Sequence, residues 1–301
     1  MALWMTRPSA KRLTSTFAWP AAHAAIEPRA AVARSIGDDG LEMWVGSQDV
    51  FYQRDVVCRR LGLSEDKVEV HGCRVGGAFG AKTISTVELE AAVLALALKL
   101  PVKVQWTRAQ EMTQAFHRPP SSHRVRVRLT DGQMTAWAHD FASSHILFTS
   151  AVVPAWMQKF TDVIGDDGVA RGAQLPYKAG LVRTGFDLVR LPVHTGPWRG
   201  LGAGPNGFVI ESAIDECARA AGTEPVRFRL QHLEEPRLRR VLEQAVATAP
   251  PSPAAPKGKR LGRGVACGIY KKTSFAAVVA DVMVDPESGE VAVLHMHCAH
   301  D

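Results

Sequence analysis

At 301 residues the chain holds one large or two ordinary domains. Its 46% hydrophobic and 22% charged residues make it an ordinary globular chain, and no apolar run reaches the ~18 residues of a membrane span. The net charge of +6 is mild. Arg124, Arg126 and Arg128 alternate along a predicted strand, and Arg237, Arg239 and Arg240 close a helix-like run. No aromatic residues interleave with either group, so both read as solvated faces and nucleic acid is not an expected partner.

The first 20 residues lack the apolar core of about 7–15 residues that a signal peptide needs. Residues 1–22 therefore read as an irregular lead-in, and a cytoplasmic location is expected, with a periplasmic one as the alternative. Residues 23–32 give an irregular lead and then a strand. Asp38-Asp39-Gly40 is a turn before a strand over 41–45. Gly46-Ser47-Gln48-Asp49 supplies the cap of a helix over 50–61, which puts Gln48 at a helix mouth, where polar ligands are favoured. On its own, Gln48 reads as a turn or capping residue.

An apolar run at 68–70 leads into Gly76-Gly77-Ala78-Phe79-Gly80-Ala81, six residues with almost no side-chain bulk around one phenylalanine. Backbone N–H groups in such a stretch approach an anionic ligand directly, because no Cβ intervenes and φ > 0 is open to glycine. The plain alternative is a tight strand-to-helix turn. A P-loop is excluded because Ala81, not glycine, precedes Lys82-Thr83. The dinucleotide spacing fails as well.

A helix is predicted over 87–98, with Glu88 and Glu90 in its first turn, and a strand over 101–106. Asp131-Gly132 between strands at 123–129 and 135–139 is a hairpin signal. Residues 140–185 have no clean period and are not placed, apart from a turn at Asp166-Asp167-Gly168. A strand follows at 186–192. A second glycine-rich bend then runs from Thr195 to Gly207 and feeds a helix over 208–221. Gly202-x-Gly204-x-x-Gly207 imitates a dinucleotide fingerprint. It reads as a decoy, because Pro205 removes a donor where phosphate would sit and no βαβ unit flanks it. Glu211, Asp215 and Glu216 on that helix read as surface or capping charge.

Further helices are predicted over 225–233 and 241–247, a flexible spacer over 250–259, strands within 262–284, and a final strand over 291–297. The end, His295-Met296-His297-Cys298-Ala299-His300-Asp301, imitates a metal cluster but reads as a strand with polar residues on one face. The five cysteines are widely separated with no C-x-x-C, so they read as reduced thiols and not as an iron–sulfur or zinc site.

Several of these phrases together resemble the molybdopterin-binding large subunits of the xanthine dehydrogenase and aldehyde oxidase family, nearest in pattern to the isoquinoline 1-oxidoreductase beta-subunit type. The resemblance rests on Gly76-Gly77-Ala78-Phe79-Gly80, His23-Ala24-x-x-Glu27-Pro28, Ser47-Gln48, Trp106-Thr107-Arg108, Arg118-Pro119, and Trp198-Arg199-Gly200-x-Gly202 with its following acidic helix. It implies an α+β fold of mixed sheets with packed helices, incomplete at the C-terminus. The expected division is a first molybdopterin-binding domain over 23–248, a linker over 249–260, and the start of a second such domain over 261–301.

The implied cofactor is molybdopterin with molybdenum, in the cytosine dinucleotide form or without a nucleotide. The implied cofactor-binding residues are Gln48, Gly76, Gly77, Ala78, Phe79, Gly80, Trp198, Arg199 and Gly200, with the metal held through the pterin and not by the protein. By the same resemblance, the Gln48 amide hydrogen-bonds an oxygen on molybdenum, and a buried Arg199 has its backbone near the metal ligands. The family's later Gly-x-Gly-Glu segment, whose glutamate is the catalytic base, has no counterpart here. The chain therefore looks like an internal fragment, with no catalytic residue of its own and no turnover alone. A small 2Fe-2S subunit, the remainder of the large subunit and a small-molecule substrate are the implied partners. An aldehyde or N-heterocycle oxidised at carbon is the implied chemistry. An inactive remnant with a structural role is the alternative, and an NAD-binding oxidoreductase built on Gly202 to Gly207 is a weaker third reading.

Overall fold

The computed structural model describes residues 10–149 and 152–301. One sheet is built from β2 (Ala30–Ile36), β3 (Gly40–Val45), β4 (Val68–Gly72) and β5 (Val102–Gln105), in the order β4-β3-β2-β5. Alternation along β2 and β3 turns Ala31, Ala33, Leu41, Met43 and Val45 to one face, where helices α1 (Val50–Leu61) and α2 (Val87–Leu98) cover them. Alanines 91, 92 and 95 line the inner side of α2 and let the helix lie close to the sheet. Asp49 caps α1 by accepting from Tyr52 N–H (2.9 Å), as its position before the apolar run predicts.

A second sheet, β1 (Ala10–Ala18), β6 (Ser121–Thr130), β7 (Gln133–Ser143) and β8 (Leu181–Leu188), has the order β1-β6-β7-β8. The Asp131-Gly132 turn joins β6 to β7. Helices α6 (Ala203–Ala220), α7 (Pro225–His232) and α8 (Pro236–Thr248) bury Val209, Ile214, Phe228 and Leu242 against Trp137 of this sheet. On their other side they meet Cys267, Phe275, Ala277 and Val279 of a third, antiparallel sheet, β9 (Arg260–Tyr270), β10 (Ser274–Val284) and β11 (Val291–His300). Three further α-helices are α3 (Arg108–Gln114), α4 (Ala155–Ile164) and α5 (Asp167–Ala170), and short 3-10 turns lie at Glu65–Lys67 and Ala81–Thr83. The α+β expectation holds. Among the described residues no helix is long and apolar enough to cross a membrane.

Four expectations change. Of the lead-in expected to be irregular, residues 1–9 lie outside the described residues, but residues 10–18 form β1, an edge strand paired with β6. Its partner is more than a hundred positions away, so no local signal marks it. The strand expected at 186–192 lies earlier, as β8. The helix expected from residue 208 starts at Ala203, because Pro205 occupies the first turn, where its missing N–H has no intrahelical acceptor to lose. The turn at 166–168 is the start of α5, capped by Asp166.

Asp166 organises the unplaced region. Its Oδ2 accepts from the N–H groups of Ile146 (2.8 Å), Leu147 (2.8 Å) and Phe148 (3.1 Å), and its Oδ1 from Gly168 N–H (2.8 Å). Burial pushes this carboxyl up, but His145 and the three N–H donors outweigh it and hold it at about 2. Asp166→Ala strands these donors, so a loss on the order of 3 kcal/mol in urea unfolding at pH 7 is expected. Because the folded pKa is lowered, this contribution is present above the usual carboxylate range and disappears as pH falls toward 2. The wild-type-to-mutant difference therefore narrows by about 2 kcal/mol between pH 5 and pH 2.

Candidate functional site

β3 and β4 run parallel, and their last paired residues are Val45 and Gly72. Both chains thus leave the same edge of the sheet side by side, the usual place for a ligand in such sheets. Gln48 follows β3 and the glycine loop follows β4, which is why residues about 30 apart in sequence meet. Gly80 N–H donates to Gln48 Oε1 (3.0 Å). Gln48 N–H and Ser47 Oγ both donate to the Lys82 carbonyl (3.1 and 3.0 Å). Because the Gln48 oxygen faces an N–H, its amide nitrogen is turned away, and it has no acceptor among the described residues.

The second glycine-rich bend joins the first. Arg199 N–H donates to the Phe79 carbonyl (2.9 Å). Gly80 has φ +102°, and a Cβ there would stand 2.4 Å from the Pro197 carbonyl oxygen. Only glycine allows the two bends to touch. Phe79 itself adopts φ +57°, uncommon for a non-glycine residue, and leaves its ring 45% exposed. The Arg199 guanidinium lies 5.9 Å from that ring's centre and has no carboxylate partner among the described residues. The N–H groups of Gly77, Phe79 and Gly200 find no acceptor among the described residues.

A segment not singled out for this role ties the bends together. Trp198 Nε1–H donates to the Ala22 carbonyl (3.1 Å), and His23 Nε2 meets the Pro197 carbonyl (2.7 Å). Burial holds His23 below its ordinary pKa, so the neutral ring donates there. Glu27 accepts from Gly76 N–H (2.8 Å) and pairs with Lys82, whose side chain is buried. Arg108 donates to the carbonyls of Ala25 and Ile26. Arg118 lies 4.9 Å over the Trp198 ring.

All the expected cofactor-binding residues thus fall on or beside one junction, with one difference, at Arg199. Arg199 is exposed, not buried, with its N–H held by the Phe79 carbonyl and its guanidinium over the exposed Phe79 ring. Trp198 is half-buried and engaged by Ala22 and Arg118. The junction is an open face. A cavity of about 340 Å³ lies elsewhere, between α6 and β9–β10, with Ile210, Leu238, Cys267 and Phe275 among its walls.

The competing motifs dissolve. A Cβ on Gly202 would stand 2.1 Å from the Val169 carbonyl oxygen, and Gly202 N–H already donates to Gly168 O (2.9 Å), which leaves no phosphate room. The terminal histidines separate, with His297 on Thr248 (2.7 Å) and His300 on Ser274 (2.8 Å). Glu211, expected at the surface, is buried as the carboxylate partner of Arg229 (2.9 Å).

An amide NH2, three backbone N–H groups and a guanidinium without a carboxylate partner among the described residues lie on or beside the two bends that carry the exposed Phe79 ring, while the nearby carboxylate, Glu27, is neutralised by Lys82. Such a face suits a planar, anionic, acceptor-rich ligand.

Residues 8–233 match the model of the molybdopterin cofactor-binding domain family. A nicotinate dehydrogenase subunit of Pseudomonas putida is 32% identical over 97% of this chain and 26% of that protein. The beta subunit of isoquinoline 1-oxidoreductase from Brevundimonas diminuta is 28% identical over 92% of this chain and 36% of its own length. Among solved structures, aldehyde oxidoreductase from Desulfovibrio gigas superposes with a TM-score of 0.73 at 21% identity, over 97% of this chain and 33% of that one. Quinoline 2-oxidoreductase from Pseudomonas putida gives a TM-score of 0.74 at 20% identity, over 97% and 41%. The chain therefore spans about a quarter to a third of the curated relatives it matches.

Proposed function

Because this chain belongs to the molybdopterin cofactor-binding domain family, we propose that it supplies part of the cofactor clasp of a molybdenum hydroxylase large subunit. The reaction proposed for the whole assembly is oxidation of an aldehyde or an N-heterocycle at carbon, with oxygen from water. The observation that carries the reading is the junction itself: Gln48, Phe79–Gly80 and Arg199 linked by two short hydrogen-bonded contacts, with the Gln48 amide nitrogen and the N–H groups of Gly77, Phe79 and Gly200 left without acceptors among the described residues.

When bound, the molybdenum–pterin group supplies two-electron redox chemistry at the substrate carbon. The residues here bind and orient it. Gln48 Nε2 donates to an oxygen acceptor. The N–H groups of Gly77, Phe79 and Gly200 meet anionic oxygen, and Arg199 adds charge where solvent still reaches. Phe79 offers a ring face to a flat heterocycle. Hydroxylation by water releases two electrons and two protons for each oxygen inserted. The five cysteines are dispersed and free, so an iron–sulfur partner and the remainder of a longer large subunit complete the proposal. Both curated relatives above are named as subunits.

Molybdenum and pterin analysis of the purified chain, with a titration by molybdopterin, tests the reading. Saturable binding is expected, with metal and pterin in equal amounts. Gln48→Leu should weaken it about tenfold, the effect of one lost hydrogen bond to an anionic acceptor. Nucleotide released on hydrolysis of the bound group shows whether the cytosine dinucleotide is the form taken. Absence of saturable binding to the wild type would overturn the proposal.

A further inference from the structure

We propose that Glu27 is a positioning residue, which sets both the shape of the first glycine loop and the aim of the Gln48 amide through Lys82. The inference rests on the pterin reading above only for its binding arm.

Glu27 holds the loop at two points. Its Oε2 accepts from Gly76 N–H (2.8 Å), and its own N–H donates to the Gly76 carbonyl (3.0 Å). The fit is close, since a Cβ on Gly76 would lie 2.6 Å from Glu27 Cβ. The same carboxylate pairs with Lys82, whose side chain is only 2% exposed. A buried ammonium needs a partner to offset its lost solvation, and Glu27 is the carboxylate that pairs with it. The Lys82 carbonyl in turn accepts from both Gln48 N–H (3.1 Å) and Ser47 Oγ (3.0 Å). One ion pair therefore fixes the start of the loop at Gly76, its end at Lys82, and the neighbouring turn that carries Gln48. Glu27 itself need touch no ligand. Its effect on binding runs through the Gly77 and Phe79 N–H donors and the Gln48 amide, whose directions it sets.

Three variants separate positioning from general stability. Glu27→Ala removes both contacts. Glu27→Gln keeps an acceptor for Gly76 but removes the carboxylate that pairs with Lys82. Glu27→Gln with Lys82→Met removes both charges of the pair. Amide hydrogen exchange of residues 76–80 in the free protein is read first, and the dissociation constant for molybdopterin second. In Glu27→Ala, Gly76 and Gly80, the loop amides that are hydrogen-bonded in the wild type, should exchange faster, and molybdopterin should bind about tenfold or more weakly, as expected when a clasp loses its preorganisation. The double variant should melt near the wild-type temperature and still bind weakly. Wild-type exchange over 76–80 in Glu27→Ala, or wild-type affinity in the double variant, overturns the proposal. If the wild type binds no molybdopterin, the pterin reading fails while the exchange arm still decides the role of Glu27.

Discussion

Gly80→Val is expected to abolish the junction between the two bends. The new Cβ would meet Pro197 O at 2.4 Å and Pro197 C at 2.8 Å, both backbone atoms that cannot rotate away. The position also demands φ +102°, which a β-branched residue does not adopt without strain. Relief requires the 197–199 segment to move by about an ångström, which breaks the hydrogen bond from Arg199 N–H to Phe79 O. A displacement of that size costs on the order of a hundredfold where several groups act on one ligand. Molybdopterin affinity should fall by about that factor, with roughly 3 kcal/mol lost in denaturant unfolding. Gly207→Ala is the control. Nothing lies within 4 Å of its Cβ, and it sits inside α6, so a gain of about 0.5–1 kcal/mol is expected with affinity unchanged.

Arg229→Ala should be the most destabilising single change away from the loops. Arg229 Nε donates to Glu211 Oε2 (2.9 Å), Nη1 to Asp215 Oδ1 (2.6 Å), and Nη2 to the Glu211 carbonyl (3.1 Å). Glu211 also accepts from Tyr177 Oη–H (2.7 Å) and Cys267 N–H (2.9 Å). This one carboxylate thus joins α6, α7, the segment before β8, and β9. Burial pushes Glu211 up despite the Arg229 charge, so removal of the guanidinium leaves a carboxylate with little solvation. A cost of about 3–5 kcal/mol in chemical unfolding follows. With its folded pKa raised further, Glu211 in the variant favours the fold only when protonated. The deficit should therefore shrink as pH falls toward the ordinary carboxylate range and grow again as pH rises.

Local chemistry made much of this molecule legible. The Asp49 cap, the Asp131-Gly132 hairpin and the 87–98 helix each depend on residues within a turn of one another, and each formed as read. The two side-chain-poor bends were visible because nothing but close backbone approach explains so many glycines. What the sequence hid was non-local. β1 has meaning only beside β6. Glu211 looks like one more helix charge until Arg229, eighteen residues on, folds beneath it. Glu27 and Lys82 are separated by 55 positions and meet only because the 21–27 segment threads between the bends. The segment at 146–148 gave no local signal because the carboxylate that gathers its N–H groups, Asp166, lies about twenty positions on.

The most direct measurement is a molybdopterin titration of the isotopically labelled chain, followed by its amide resonances. Saturable shifts at Gly77, Phe79, Gly200 and the Gln48 side-chain amide, all with one dissociation constant, are the predicted result. Shifts confined to the α6/β9–β10 cavity around Ile210, Cys267 and Phe275, with the two bends unmoved, would contradict it.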